Sequence, residues 1–314
     1  MLIVNLLLFL LSLFVMVKSS EYCIRYSSRI SKIFHLSEFV VSFFIVSVIS
    51  VFPEASISII SAIEKVPEFG LGTLLGSNVA DLALVFGIVA LFSTTGIKVK
   101  SEILKKDFFY LALLSLPIIL GFDGGFSRID GLILILGGSF FFLTLSIESR
   151  MFRKKINSMP AGHLAKNIVL LAISLAILLL GANYTVKFGT AFASDIGVPS
   201  ILIGLTAVAI GTCLPELIFS IRAVKTRHDE LALGDILGTV ITDATILVGV
   251  MALINPFSFD KLIIYVIGIS MFLAGILTIM FIRTGRMLTK KEGIILIFFY
   301  ILFLIVTFIS KKLF

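Results

Sequence analysis

The chain has 314 residues, of which 59% are apolar and 14% charged, with a mean hydropathy of +1.16 and no Trp. A soluble domain carries about a quarter charged residues, so a soluble globular fold is excluded; apolar runs of about 20 residues, each enough to cross ~30 Å of hydrocarbon as a helix, predict a multi-pass membrane protein. The formal charge of +7, from 26 Lys and Arg against 19 Asp and Glu, is read as a topology signal rather than as the mark of a nucleic-acid partner, and no nucleic acid is expected.

In chain order, apolar runs between charged or Gly/Pro-rich breaks predict spans at about 2–19, 37–62, 70–93, 108–122, 130–147, 166–188, 198–223, 232–254, 261–282 and 292–310. The first lacks the basic lead and the cleavage site of a signal peptide and reads as a membrane helix. With the N-terminus outside, Lys65, Arg128, Lys187, Lys261, Lys311 and Lys312 are the outer basic residues, and the other twenty of the 26 fall in cytoplasmic segments. Under the positive-inside rule this asymmetry places both termini outside a cytoplasmic membrane. Residues 149–165 form a basic cytoplasmic linker; no soluble domain interrupts the spans. Cys23 and Cys213 fall in separate apolar segments with no paired spacing, so neither a disulfide framework nor a zinc site is suggested. His35, His163 and His228 fall in predicted cytoplasmic segments.

An offset of 162 positions superimposes the two halves. Tyr22 meets Tyr184, Pro53-Glu54 meets Pro215-Glu216, and Ser58 meets Ser220. Leu71-Gly72 meets Leu233-Gly234, and Leu75-Gly76 meets Leu237-Gly238. Asp81, Gly87 and Gly131 meet Asp243, Gly249 and Gly293. Each half (1–148 and 166–314) has five spans, an odd number, so the second enters the membrane in the opposite sense. The expected fold is an all-α membrane protein of ten transmembrane helices in two inverted five-helix repeats, an architecture typical of secondary transporters with sites near the midplane.

Four acids, Glu54, Asp81, Glu216 and Asp243, fall inside predicted spans with no Lys, Arg or His at the same depth. Each costs about 2.5–3.5 kcal/mol at the bilayer centre if unpaired, so bound cations or protons are the expected compensation. One helical turn ahead of each stands a hydroxyl: Ser50, Ser77, Thr212 and Thr239. Positions i and i+4 share a helix face, and an all-oxygen lining suits hard cations such as Ca2+, Na+ or Mg2+. Pro53 and Pro215 leave the carbonyls of Ile49 and Gly211 without a helical donor, freeing them as ligands. Gly72 with Gly76, and Gly234 with Gly238, make small-residue packing faces. Cys213 is read as a packing residue.

These residues resemble the cation/Ca2+ antiporter superfamily, in particular the prokaryotic sodium/calcium exchangers. Gly211-Thr212-Cys213-Leu214-Pro215-Glu216 is similar to the family's G-T-S-L-P-E, and Gly234-Asp235-Ile236-Leu237-Gly238-Thr239 with Asp243 to its G-N-x-x-G-S-N-x-x-D. The first half matches through Pro53-Glu54, Gly72, Gly76-Ser77-Asn78 and Asp81. The resemblance implies a Ca2+ site at Glu54 and Glu216 with help from Ser50 and Thr212, flanking Na+ sites at Ser77, Thr239 and Asp243, and alternating access in which the first and sixth spans slide. It implies a membrane-embedded antiporter with no prosthetic group, exchanging Ca2+ for Na+ and working as a monomer.

The departures bear on the coupling ion. Ile49 and Val51 stand where the family usually has Gly and Ser, and Cys213 replaces a Ser. Asp81 stands where sodium/calcium exchangers often carry Asn and potassium-dependent relatives carry Asp. Proton- or K+-coupled exchange of Ca2+ or another divalent cation is therefore the alternative to Na+ coupling. A cation channel or a non-transporting sensor would also use buried carboxylates. An intramembrane enzyme would need a nucleophile or a His-based metal site at membrane depth, and neither is found.

Overall fold

The computed structural model describes residues 1–31, 50–94, 96–99, 107–149 and 164–310. The second span up to Ile49, the run Arg150–Lys155, His35 and His163 lie outside them. The described residues are helical almost throughout: α1 (Leu2–Ser31), α2 (Phe52–Ile63), α3 (Pro67–Phe92), α4 (Asp107–Leu120), α5 (Arg128–Ser149), α6 (Leu164–Asp195), α7 (Ser200–Lys225), α8 (Asp229–Ile254), α9 (261–283) and α10 (Lys290–Ser310). Among them α1, α3, α6, α7, α8, α9 and α10 are by themselves long and apolar enough to cross a bilayer. The all-α, multi-pass character expected from composition is thus present.

Helix ends follow the punctuation of the sequence. α3 starts with Pro67 in its first turn, where the missing N–H costs nothing, and α7 follows Gly197, at φ 66°, and Pro199. Two helices outrun their expected ends. α1 continues past residue 19 to Ser31, and α6 past 188 to Asp195. No Gly or Pro occurs before Pro53 to stop the first, and Lys18 pairs with Glu21 at 2.9 Å across one helical turn instead of ending it.

Burial sorts the helices. α3 and α8 are covered nearly all round, whereas α1, α6 and α10 keep broad outward apolar faces, with Leu10 and Phe14, Leu179 and Leu180, and Phe298 and Ile305 exposed. A helix apolar on every side belongs in the interior, and one with an outward apolar stripe in this chain belongs against lipid. α1 lies chiefly along α6. Gly181 allows the approach, since a Cβ there would sit 3.1 Å from the Met16 Cα. Phe9 stacks on Phe192, and the Asn5 amide donates to Asp195 at 2.7 Å.

α3 and α7 meet through Gly72 and Gly76, as their spacing predicts. A Cβ on either would fall about 2.5 Å or less from the Ile201 or Leu205 carbonyl oxygen. Two short antiparallel ribbons, absent from the sequence reading, tie the halves together. β1 (Ile97–Lys98) pairs with β4 (Met287–Leu288), and β2 (Gly125–Phe126) with β3 (Phe257–Ser258).

Candidate cation site

Prolines and widened turns shape the site. Pro53 and Pro215 lack an N–H, and the residues two before them, Val51 and Cys213, interrupt the helix with nearly the same backbone angles, φ −69°, ψ −10° and φ −72°, ψ −10°. Glu54 and Glu216 consequently lie in the first turn of the helical segments that follow. The free N–H groups and dipole of a helix start favour negative charge there. On α3 and α8, π-helical turns, Ala80–Val85 and Thr242–Leu247, begin one residue before Asp81 and Asp243. Such single widened turns are rare and concentrate at functional sites.

All four predicted acids are fully buried, and so is Asp235, a fifth. Glu216 lies within Coulombic reach of Glu54, Asp81, Asp235 and Asp243. Among the described residues no Lys, Arg or His is buried with them. Among the described residues, both carboxylate oxygens of Glu54 and of Asp81 make no hydrogen bond, nor do Glu216 Oε2, Asp235 Oδ2 and Asp243 Oδ1. Five unpaired charges at about 2.5–3.5 kcal/mol each would match the whole ~5–15 kcal/mol stability of a typical domain. The cluster calls for positive charge from outside the chain.

The four hydroxyls are buried in the site as well, and three of them reach to another helix. Ser50 Oγ donates to Asp235 Oδ1 at 3.0 Å and lies 3.2 Å from Thr239 Oγ1. Thr239 Oγ1 donates to Glu216 Oε1 at 2.9 Å, and Ser77 Oγ reaches Asp243 Oδ2 at 3.0 Å as well as its own helix at the Leu74 carbonyl. Thr212 donates to the Ala209 carbonyl at 3.0 Å, an ordinary intrahelical bond. The interruption at Val51 and Cys213 takes Ser50 and Thr212 off the segments that carry the glutamates. α8 packs against both α3 and α7, so a hydroxyl facing inward meets a neighbouring helix.

Cys213 is more central than a packing residue. One ligand atom each from Glu54, Cys213 and Glu216 lie within 4.8 Å of one another, and the Cys213 sulfur is 3.7 Å from the Ser77 carbonyl oxygen. Oxygens at that separation suit a cation bound at about 2.3–2.6 Å from each, the Ca2+ distance. Both cysteines are free and buried.

Sequence reasoning counted four buried acids because Asp235 lies near the start of the eighth span. Its spacing held the missing signal: Asp235, Thr239 and Asp243 stand at i, i+4 and i+8, one polar stripe on an otherwise apolar helix. Around the cluster, the Tyr110 hydroxyl lies 3.4 Å from the Leu237 carbonyl oxygen, and Asn78 donates to Met271 Sδ at 3.5 Å.

A helical, multi-pass membrane protein with a buried, oxygen-lined acidic centre is the class that fold and site define. The chain belongs to the sodium/calcium exchanger protein family, whose pattern it matches over residues 4–146 and again over 166–309. It is 29% identical to the sodium/calcium exchanger MaX1 of Methanosarcina acetivorans, over 98% of this chain and 99% of that protein. It is 28% identical to the inner membrane protein YrbG of Escherichia coli, over 81% of each. Among solved structures it is similar to the sodium-calcium exchanger NCX_Mj soaked with Na+ and Sr2+, with a TM-score of 0.69, 26% identity, and coverage of 96% of this chain and 98% of that one.

Proposed function

We propose that the protein is a secondary-active antiporter that exchanges Ca2+ for Na+ across the cytoplasmic membrane by alternating access, with Glu54 and Glu216 as the central Ca2+ ligands. The observation that carries this reading is the buried Glu54 and Glu216 pair, with carboxylate oxygens within 4.8 Å and no basic side chain buried beside them among the described residues. Membership of the exchanger family and the likeness to MaX1 and NCX_Mj support it. Ser50, Ser77, Thr212, Thr239, Asp81 and Asp243 complete the binding centre. Two charges on the glutamates match one divalent ion, and either that ion or monovalent cations must fill the centre before it crosses. An empty acidic centre is disfavoured in mid-membrane, which makes the exchange obligatory.

The architecture in this reading is ten spans in two inverted repeats, 1–148 and 166–314, joined by the cytoplasmic linker 149–165, with both termini outside and a monomer as the working unit. α1 and α6, which pack chiefly on each other, are the elements that move. The second reading, coupling to H+ or K+, is favoured by Asp81, an acid where the sodium-coupled relatives often have Asn. Uptake of radiolabelled Ca2+ into proteoliposomes loaded with Na+, K+ or a proton gradient decides among them. Uptake driven by outward Na+ is the expected result. Uptake that ignores Na+ would overturn Na+ coupling, and its absence under all three gradients would overturn Ca2+ exchange.

A further inference from the structure

We propose that Asp235 is itself a cation ligand, forming with Ser50 and Thr239 a second oxygen subsite beside the Glu54 and Glu216 pair that takes a hard monovalent cation. The inference rests on the antiporter reading for its role in coupling, but its geometry stands alone. Asp235 is 0% exposed, and its Oδ2 has no hydrogen-bond partner among the described residues. A carboxylate oxygen stranded in a membrane interior is costly, and a hydrogen bond or a cation is what relieves it.

Proton counting sharpens the point. A hydroxyl has one proton to donate and two lone pairs. Ser50 gives its proton to Asp235, and Thr239 gives its own to Glu216. Ser50 Oγ and Thr239 Oγ1 also lie within hydrogen-bond distance of each other, at 3.2 Å. A hydroxyl that donates its proton can still ligate a cation through its lone pairs, so one ion can touch both oxygens and Asp235 together. Ser50 precedes α2 and Thr239 and Asp235 lie on α8, so the subsite is assembled from both halves of the chain.

Charge matching names the ion class. Glu54 and Glu216 carry two charges between them and suit a divalent ion. Asp235 adds one charge with two neutral hydroxyls, which suits a monovalent one. Oxygen ligands of this kind favour hard ions such as Na+ or K+ over softer metals.

Asp235→Asn keeps the shape and the acceptor for Ser50 while removing the charge. Two measurements on the purified full chain test the proposal. In proteoliposomes, Ca2+/Ca2+ self-exchange needs no coupling ion. The variant is expected to keep its half-saturating Ca2+ within about twofold while its half-saturating monovalent cation rises by about tenfold or more. Unchanged monovalent dependence, or an equal loss of Ca2+ and monovalent dependence, would overturn the subsite.

Thermal stabilisation in detergent by Na+, K+ or Ca2+ reads binding without transport. Monovalent stabilisation is expected in the wild type and lost in Asp235→Asn, with Ca2+ stabilisation kept. A wild type stabilised by neither Na+ nor K+ would overturn the subsite even if Ca2+ is transported. Asp235-dependent monovalent stabilisation in a protein that moves no Ca2+ would sink the exchange reading and leave the subsite standing. If Asp235→Asn does not fold, Asp235→Glu shifts the same oxygens and carries the same expectations.

Discussion

Gly87 on α3 and Gly293 on α10 meet backbone to backbone: a Cβ on Gly87 would lie 2.7 Å from the Gly293 carbonyl oxygen, and one on Gly293 2.9 Å from that of Gly87. The offset of 162 carries Gly87 to Gly249 and Gly293 back to Gly131. Those two residues meet in the same way, with Cβ positions 2.6 and 2.7 Å from the opposite carbonyl oxygen. One contact type recurs with the halves exchanged.

Alanine at these crossings should therefore force helices apart. Gly87→Ala and Gly249→Ala are each expected to destabilise by ~1–3 kcal/mol, the usual cost of overpacking. The thermal midpoint of the detergent-solubilised protein measures it. Gly285→Ala serves as a comparison for steric contact, since nothing lies within 4 Å of a Cβ there, although its φ of 72° adds local strain. Midpoints unchanged in the first two would mean that the crossings are looser than their geometry.

Glu54→Gln and Glu216→Gln keep the side-chain shape and delete one ligand charge. Ca2+ exchange is expected to fall by about 100-fold or more, as when one partner of a buried charged contact is removed. Without cations the opposite holds for stability: with chelator present, each variant should melt at or above the wild type, because one buried unpaired charge is gone. Addition of Ca2+ should then raise the wild-type midpoint and leave those of the variants nearly unmoved. Wild-type flux in either variant would remove the glutamates from the site.

Two threonines three residues apart make a clean contrast. Thr239 bonds Glu216 and touches Ser50, whereas Thr242 bonds only the Gly238 carbonyl of its own helix. Thr239→Val should weaken apparent cation affinity by about tenfold, the scale of a hydrogen bond to a charged group, and Thr242→Val by about twofold at most. Equal effects, read from the cation dependence of uptake, would show that the hydroxyl contact to Glu216 is not what matters.

Asp81→Asn removes one of the two acids whose oxygens are wholly without hydrogen bonds. A centre with one charge fewer needs one monovalent ion fewer for neutrality. The Hill coefficient for the coupling cation is expected to fall by about one, with the half-saturating Ca2+ held. An unchanged coefficient would assign Asp81 no part in the count of coupling ions.

Much of this protein was legible along the chain because a membrane makes sequence rules strict. Apolar runs report helices, since every backbone polar group must be satisfied within the segment. An acid without a basic neighbour is conspicuous in an apolar run for the same reason, and Glu54, Asp81, Glu216 and Asp243 were found that way. The helix ends were less legible. α1 and α6 run past their charged residues because charge ends an apolar run without ending a helix.

Sequence by itself determined the helical membrane class, the repeat and the residue types of the acidic centre, since these depend on composition and local spacing. Tertiary structure alone decided which atoms meet. Ser50 reaches across to Asp235, Thr239 to Glu216 and Ser77 to Asp243, and Cys213 comes within 4.8 Å of both glutamates. The helix interruptions at Val51 and Cys213 and the packing of α3 on α8 bring together residues far apart in the chain, and spacing along one helix carries no information about the face of the next.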